Sequence, residues 1–596
     1  MKKLALVLAV VMVLSLGLTA CGGSTSSTGT ASSAPAGSSS SGSASDAAPA
    51  YNPDALQVKA LDDNTLQVTL TARTPYFLEL TAFPAYAPVQ QATVEANGEA
   101  WAVDAATYIG NGPYKIAEWV PSSHITMVKN ENYWNVDSLA GPDTLQFTLM
   151  EDDAAQLTAF QSGELDFIDA VPNDEIDALS STPEFYKEGQ IGTYYVSYNT
   201  QAAPFDDPLV RQAFTLAVDR DYICKQIGKS GQIPAGAFVS EGLSDAAEGS
   251  SFREVGGDYY DPTAGANEAN LAKAKELLAE AGYPNSEGLP TITYLYNEGT
   301  AHQQIGEALQ QMWGQLGATV TLESQEWATF LNTRKNGDYQ VARNGWLGDY
   351  NDPISFLDMW ITGGGNNDAQ WSNAEFDSLI KQIKSSGDAE ARMEMMHQAE
   401  DIIFDEWMLC PIYYYVDIYM AQQNLENLST SPLGFKFFMN ASNGTDTLKV
   451  CTGPDPDTID PALNSAVDGG TMIDHAFEGL YTVAYGTTPT PGQAESVEIS
   501  EDGLTYTFHL REGLKWSDGT PLTAHDFVYS WQRAVDPATG ADYAYMFECI
   551  AGYTEAINGE EYVAPAADAS SASTSESAAE SVSASTSESA STSAAA

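Results

Sequence analysis

Positive charge is scarce in this chain of 596 residues, which has 25 Lys and Arg against 81 Asp and Glu and a formal net charge of −56. Nucleic acids and anionic lipid surfaces are bound through clustered Lys and Arg, so this imbalance excludes both as partners. It favours an extracytoplasmic protein with an acidic surface. The acidic surface by itself does not identify a cationic ligand.

Histidine and cysteine are rare as well, with six and five residues in the whole chain. The sequence has no C-x-x-C pair, no H-E-x-x-H helix, no G-x-S-x-G turn and no Walker loop, so it predicts no metal site, no cofactor and no enzyme. One disulfide is conceivable in an oxidising compartment, but spacing alone does not pair the candidates, which are Cys224, Cys410, Cys451 and Cys549.

Long apolar runs are missing except at the amino terminus. Lys2 and Lys3 precede the short run "LALVLAVVMVLSLGL", which ends in "LTAC" at residues 18–21. A basic start, a short apolar run and small residues before a cysteine predict a bacterial lipoprotein signal over residues 1–21. Cys21 then carries the lipid, and this anchor is the expected membrane contact. The alternative is an ordinary secretory signal with an incidental cysteine.

The chain between two Ser-rich stretches alternates strand and helix patterns. Residues 22–50 and 563–596 have almost nothing to bury and predict a disordered tether and a disordered tail. Between them, apolar alternation predicts strands and 3.6-residue spacing predicts helices. The length favours two to four domains in a mixed α/β chain. The predicted strands include "DNTLQVTL", "LTYTFHL" and "TLKVCTG", and the predicted helices include "NEANLAKAKELLAEAGYP", "AEFDSLIKQIKSS" and "ARMEMMHQAEDIIFDEW".

Several further segments carry a family resemblance. They include "NGPYKIAEW", "FQSGELDF", "PFDDPLVRQAFTLAVDRD", "GWLGDYNDPISFLDMW", "PIYYYVD" and "EDGLTYTFHLREGLKWSDGTPLTAHDFVYSWQRAVDP". Together they resemble the oligopeptide- and dipeptide-binding proteins of bacterial ABC importers. The resemblance implies an α/β clamp of two lobes, like a periplasmic binding protein, with an additional third domain. It also implies a monomer that captures a peptide and delivers it to the permease subunits of an importer.

The order of the segments departs from this family. The part that resembles the family's beginning is residues 445–562, and it follows the part that resembles the remainder. The order predicts a circular permutant, although a fusion of two truncated proteins or an assembly error gives the same order. The resemblance implies domain I from 445–466, 105–191 and 417–443, domain II from 51–104 and 467–562, and domain III from 192–416.

Eight residues match the family's ligand-binding positions. Asp349 matches the carboxylate that holds the peptide's α-amino group, although "GDYNDP" is also typical of a plain turn. Arg334 and Arg343 match arginines near the peptide's carboxyl end. The other matches are pocket-lining residues, namely Trp327, Trp346, Tyr195, Tyr415 and His302. Some relatives bridge two cysteines across the pocket, and the corresponding residues here are Leu347 and Gly192, so that disulfide is absent.

Other functions stay open at this point. Relatives with the same fold carry dipeptides, metal chelates, haem or sugars, and the aspartate with two arginines favours zwitterionic peptides. A peptide hydrolase is the alternative from another class, but no catalytic motif supports it. A non-functional fusion of two fragments is a third possibility.

Overall fold

A large mixed sheet organises the fold. This computed structural model describes residues 50–247, 249–484 and 488–564. The strands are β1 (Val58–Asp62), β2 (Thr65–Thr69), β3 (Tyr114–Val120), β4 (His124–Lys129), β5 (Thr144–Leu149), β6 (Phe167–Ile168), β7 (Phe185–Tyr198), β8 (Ile233–Pro234), β9 (Ile292–Asn297), β10 (Val320–Gln325), β11 (Val341–Leu347), β12 (Leu409–Ala421), β13 (Ser429–Thr430), β14 (Lys436–Phe437), β15 (Thr447–Gly453), β16 (Tyr481–Thr482), β17 (Thr490–Pro491), β18 (Ala494–Ile499) and β19 (Thr505–Leu510).

Helices connect these strands. The α-helices are α1 (Phe77–Leu80), α2 (Gln91–Asn97), α3 (Asp153–Gln161), α4 (Ile176–Leu179), α5 (Pro208–Leu216), α6 (Arg220–Tyr222), α7 (Phe252–Gly256), α8 (Asn267–Glu280), α9 (Thr300–Gly314), α10 (Trp327–Lys335), α11 (Ala374–Ser385), α12 (Ala389–Asp405), α13 (Val467–Ala476), α14 (Ala524–Val535) and α15 (Tyr553–Asn558). The predicted mixed α/β chain is confirmed. Within the described residues, no helix is both long and apolar enough to cross a membrane.

The two longest strands run through the middle of the large sheet. The strand order is β10-β9-β11-β7-β12-β6-β15-β5-β4-β3, with β8 paired to β12. β7 has 14 residues and β12 has 13, and they are antiparallel partners along most of their length. One side of this pair holds β9, β10 and β11, and the other side holds β3 to β6 and β15. The pair therefore joins the two halves of the sheet.

Local sequence signals account for the predicted helices. α8 buries Ala274, Leu277 and Leu278, which lie three and four residues apart and so share one helix face. Gly282 follows its last turn at φ +93°, a left-handed conformation that favours glycine at a helix end. α11 begins after Asn373, whose side chain accepts hydrogen bonds from the backbone N–H groups of the first turn.

Segments far apart in the chain complete both main sheets. β15 lies between β5 and β6 and is parallel to both of them. In the smaller sheet, which has the order β1-β2-β19-β18, β2 pairs with β19. β15 and β19 lie after residue 444, whereas β2, β5 and β6 lie before residue 170. The late segment is therefore built into the same two sheets as the early one.

The two ends of the described chain lie side by side. The Asn52 N–H donates a hydrogen bond to the Ala556 carbonyl at 2.9 Å, and the Asn52 side chain donates to the Glu560 carbonyl at 2.6 Å. Gly559 has φ +69°, and a Cβ there would lie 2.2 Å from the Ala50 carbonyl oxygen, so only glycine fits. The first and last described segments are thus packed against each other. The predicted lipid signal with Cys21 and nearly all of the predicted tether and tail lie outside the described residues.

No disulfide forms among the four cysteines that the structure describes. Cys224, Cys410, Cys451 and Cys549 are all buried free thiols. They lie in three separate hydrophobic clusters, with Cys224 and Cys410 sharing one of them. The disulfide that the sequence left open is therefore absent between these residues.

Candidate functional site

A cavity of about 500 Å³ opens beside β11 and β12 and is closed from the other side by the loop before α13 and by Tyr543. β11 and β12 flank β7 in the sheet, so residues from distant parts of the chain meet at the cavity. Seven of the eight predicted site residues line it, namely Trp327, Arg334, Arg343, Trp346, Asp349, Tyr415 and His302. Within the described residues, no group of three or more His, Cys, Asp and Glu could hold a metal ion.

Tyr195 is the predicted residue that lies elsewhere. It is fully buried in the core, where its ring lies edge-on to Phe238 at 5.2 Å and to Trp360 at 5.9 Å between centroids. Side chains alternate between the two faces of a strand, so its neighbour Tyr194 faces the opposite way. Tyr194 stacks on His302 at 5.7 Å. Neither Tyr194 nor Tyr195 is among the residues that line the cavity, so the binding role of Tyr195 stays a prediction.

Asp349 follows β11 as a half-buried carboxylate. Tyr543 donates a hydrogen bond to its Oδ1 at 2.9 Å, and Ser355 donates to its Oδ2 at 3.4 Å. Trp346 fixes this region by donating its indole N–H to the Ser355 carbonyl at 2.8 Å. No Lys, Arg or His of the described chain forms an ion pair with Asp349. Burial therefore raises the pKa of Asp349 well above its usual value, even though the Tyr543 hydrogen bond opposes this shift.

The two arginines differ in their partners. Arg334 forms an ion pair with Asp368 at 3.4 Å and donates to the Asn344 side chain, so its charge is balanced inside the protein. Arg343 has no acidic partner within the described chain. Its guanidinium lies 5.3 Å from the Tyr194 ring and 5.9 Å from the Trp327 ring, and its Nε is buried without a hydrogen bond. Arg343 is therefore the cavity cation whose charge is not balanced by a carboxylate of the described chain.

His302 lies close to Arg343 in the cavity wall. Tyr194 and His302 Nδ1 are within hydrogen-bond distance at 3.2 Å. Burial, with a smaller contribution from the Arg343 charge, lowers the pKa of His302 well below its usual value. The imidazole is therefore neutral at physiological pH, and it offers a hydrogen bond rather than a charge.

One edge of β11 faces the cavity without a strand partner. β7 pairs with β11 from Val341 to Leu347, whereas β9 covers only Val341 and Ala342 on the other side. The Gly345 N–H donates to the neighbouring Asn344 side chain at 2.8 Å instead of to a strand. A Cβ at Gly345 would lie 2.3 Å from Tyr415 Oη, so a larger residue there would displace this ring. The remaining edge is free to accept another strand.

The distance between Arg343 and Asp349 matches the length of the free β11 edge. Arg343 lies near one end of β11 and Asp349 lies beyond the other, roughly 20 Å away at about 3.3 Å per residue. Leu347 and Gly192, which replace the bridged cysteines of some relatives, face each other in the β11–β7 register. A Cβ on Gly192 would lie 2.3 Å from the Leu347 side chain.

Two residues of the cavity, Tyr543 and Asp468, were not predicted from the sequence. Tyr543 contacts Asp349 across 194 positions of the chain, and nothing in "ADYAYMFE" marks it. Asp468 lies in the first turn of α13, and its sequence "SAVDGG" is typical of a helix start. A composition or spacing signal could not have found either residue, because their positions depend on how the late segment packs against the early one.

Comparisons with known proteins agree with this architecture. The family model for bacterial extracellular solute-binding proteins, family 5 Middle, matches residues 27–368 and 488–586. The dipeptide-binding protein DppE of Bacillus subtilis is 37% identical over 385 residues, which cover 64% of this chain and 69% of DppE. The oligopeptide-binding protein OppA of Bacillus subtilis is 35% identical over 400 residues, which cover 65% of this chain and 71% of OppA.

Solved structures of similar proteins also match this architecture. OppA of Haemophilus influenzae in complex with the peptide RPPGFSPFR has a TM-score of 0.58 and 29% identity, covering 62% of this chain and 71% of that chain. The murein tripeptide-binding protein MppA of Escherichia coli has a TM-score of 0.58 and 30% identity, covering 64% of this chain and 72% of that one. The chain therefore belongs to family 5 of the bacterial extracellular solute-binding proteins and has their two-lobed α/β fold.

Proposed function

We propose that this protein captures oligopeptides outside the cytoplasm and delivers them to the permease subunits of an ABC importer. One observation carries the proposal: a half-buried carboxylate, Asp349, and a half-buried guanidinium, Arg343, lie at the two ends of a free strand edge, and neither has an ion-pair partner among the described residues. Peptides share two charged ends and a backbone, so this arrangement recognises them without reading their sequence. Similar proteins are named for dipeptides, oligopeptides and a murein tripeptide as their ligands.

In this proposal the peptide lies along β11 as an added strand. Its ammonium group meets Asp349 and replaces the missing cation, while the Tyr543 hydroxyl keeps the carboxylate in place. Its backbone bonds to the free edge at Gly345 and Leu347, and its carboxylate approaches Arg343. An edge of roughly 20 Å accommodates about five extended residues. All of these residues come from one chain, so a monomer is sufficient.

The charged ends of the site favour peptides over the other cargoes that relatives carry. Haem, metal chelates and sugars do not bring an ammonium and a carboxylate at this separation. The cavity also lacks an assembled nucleophile and base, which a peptide hydrolase would need. A binding protein returns its peptide intact, so mass spectrometry of peptides recovered after incubation separates the two functions.

Thermal unfolding with and without ligand tests the proposal. A mixture of free tripeptides to hexapeptides should raise the unfolding temperature, because a ligand present at 100 times its Kd adds about 2.7 kcal/mol to the free energy of unfolding. The matched control is the same mixture with acetylated amino ends and amidated carboxyl ends, which should give a much smaller shift. A shift with haem, nickel chelates or sugars and none with peptides would overturn the proposal.

We further propose that residues 51–562 form one circularly permuted set of the domains I, II and III described above. The central place of β15, the β2–β19 pairing and the contact between the two described ends support this order. The extent of the matches supports it too. A sequence alignment that keeps the order of residues can match only one of two exchanged segments. The two Bacillus subtilis matches span 385 and 400 residues, which is about the length of the segment 51–440.

We also propose that a lipid on Cys21 anchors the protein to the outer face of the bacterial cell membrane. The motif "LTAC" after a short apolar run supports this anchor. In cell fractionation, the wild type should remain with membranes, and Cys21→Ser should move most of the protein to the soluble extracytoplasmic fraction. A matched Cys549→Ser variant should stay with membranes. Equal release of the wild type and Cys21→Ser would contradict the lipid anchor.

A further inference from the structure

The cavity contains more negative than positive charge. Four carboxylates line it, on Asp169, Asp349, Asp417 and Asp468, together with the guanidinium groups of Arg334 and Arg343. The Arg334 charge is balanced by Asp368. The carboxylates of Asp169 and Asp417 share a single ammonium group, that of Lys436, at 3.5 Å and 2.8 Å. Among the described residues, Arg343 is thus the one unpaired cation for three surplus carboxylate charges.

A peptide with uncharged side chains corrects only part of this imbalance. Its ammonium group neutralises Asp349, and its carboxylate neutralises Arg343. The charge on Asp468 and the surplus charge shared by Asp169 and Asp417 remain enclosed with the ligand. Enclosed and unpaired charge is unfavourable because it has lost its water, so a ligand that brings positive charge binds better.

Asp468 is the clearest of these unsatisfied groups. It lines the cavity, and among the described residues no Lys, Arg or His forms an ion pair with it. Burial raises the pKa of Asp468 to about 6, although hydrogen bonds from the Gly469 backbone and the Trp327 side chain oppose this shift, so the group is mainly ionised at neutral pH. The Thr452 hydroxyl also lines the cavity and is buried without a hydrogen-bond partner. A carboxylate without a cation and a buried hydroxyl without a partner indicate that a ligand group completes this part of the cavity.

The position of Asp468 indicates which part of the ligand it meets. Trp327 is close to Asp468 and also borders Arg343, whose guanidinium lies 5.9 Å from the Trp327 ring. Asp349 lies at the other end of β11. A side chain that reaches Asp468 therefore comes from the carboxyl-terminal half of the bound peptide.

We propose that the cavity selects peptides with a basic side chain in their carboxyl-terminal half and that Asp468 recognises the positive charge. This specificity rests on the proposed peptide-binding function. An ammonium or guanidinium group on a long aliphatic stem suits a wall that combines a carboxylate with the Trp327 ring, because the stem packs against the ring while the charge meets the carboxylate.

The test is a set of pentapeptides of alanine in which one position at a time is lysine, its uncharged analogue norleucine, or glutamate. Titration calorimetry measures each peptide against the wild type, Asp468→Asn and a control, Asp137→Asn, which removes one charge at an exposed residue. With lysine at position three, four or five, the wild type and the control should bind at least tenfold tighter than with norleucine, and glutamate should be weakest. Asp468→Asn should lose this preference while its affinity for the norleucine peptides is kept, which also shows that it is folded.

Every other outcome of these titrations would contradict a particular part of the proposal. Equal binding of lysine and norleucine peptides to the wild type overturns the specificity and leaves peptide binding intact. A lysine preference that persists in Asp468→Asn overturns the role of Asp468. Failure of all the peptides to bind the wild type would count against the proposed function itself, and the specificity would fall with it.

Discussion

Replacing Asp349 with alanine should weaken the binding of a free pentapeptide at least about 30-fold. Removing one partner of a buried, hydrogen-bonded charge pair typically costs about 2–5 kcal/mol in binding, and 1.4 kcal/mol corresponds to a factor of ten. The loss arises because the peptide ammonium, once enclosed, has no other carboxylate at this end of β11. Titration of the wild type and Asp349→Ala with the same free peptides measures the effect.

Two controls separate this effect from misfolding. N-acetylated peptides lack the charge, so they should bind the wild type poorly and lose little in Asp349→Ala. Asp349→Asn keeps the shape of the side chain and should show a similar loss for free peptides. Equal affinity of the wild type and a folded Asp349→Ala variant for free peptides would rule out this residue as the ammonium site.

The same titration has an expected pH dependence. Burial raises the pKa of Asp349 well above its usual value, and the ammonium binds only the ionised form. Lowering the pH through this raised pKa protonates the empty site, so the wild-type affinity for free peptides should fall as the pH falls. Asp349→Asn cannot titrate at this position, and its residual affinity should change much less over the same range.

A chain that ends at residue 443 should lose both cooperative unfolding and peptide binding. β15 lies between β5 and β6 in the large sheet, and β18 and β19 form half of the smaller sheet, so the deletion opens the interior of the first sheet and halves the second. It also removes Tyr543 and Asp468 from the cavity. Thermal unfolding by circular dichroism and titration with free peptides measure the two losses.

A reordered chain is the matched control for this deletion. It places residues 445–562 first and residues 51–443 second, which is the order that the proposed permutation implies for the family. Because Asn52 already contacts Ala556 and Glu560, the new junction needs little rearrangement. The reordered chain should unfold cooperatively and bind the same peptides within a few-fold of the original affinity. Two halves that fold and stay apart on their own would favour a fusion of two fragments.

Local signals predicted much of the fold. The strand "TLKVCTG" forms as β15 over Thr447–Gly453, and the helix predicted from "AEFDSLIKQIKSS" forms as α11. Alternation and helical spacing are local properties, and the burial of one face follows from them. The place of β15 in the middle of the sheet could not be read from spacing, because strand neighbours depend on contacts between distant segments.

In the candidate site, too, contacts between distant segments could not be predicted from the sequence. Asp349 and Arg343 were predicted because the resemblance covers the continuous segment that carries both. Tyr195 was predicted from the same resemblance, but it packs beside Phe238 and Trp360, and a run of tyrosines in the sequence does not show which rings border the cavity. Tyr543 could not be predicted, because its contact with Asp349 joins two segments that lie 194 positions apart in the chain.

The contact between the two described ends determines how this protein can be used as an optical sensor. A donor and an acceptor fluorophore attached near Ala50 and Gly559 would stay close together whether the clamp is open or closed, because both residues sit on one part of the molecule. Energy transfer between them would not report ligand capture. A useful pair needs one dye at these ends and the other on α8, whose buried side chains belong to a different hydrophobic cluster, so that a change in the separation of the lobes changes the energy transfer.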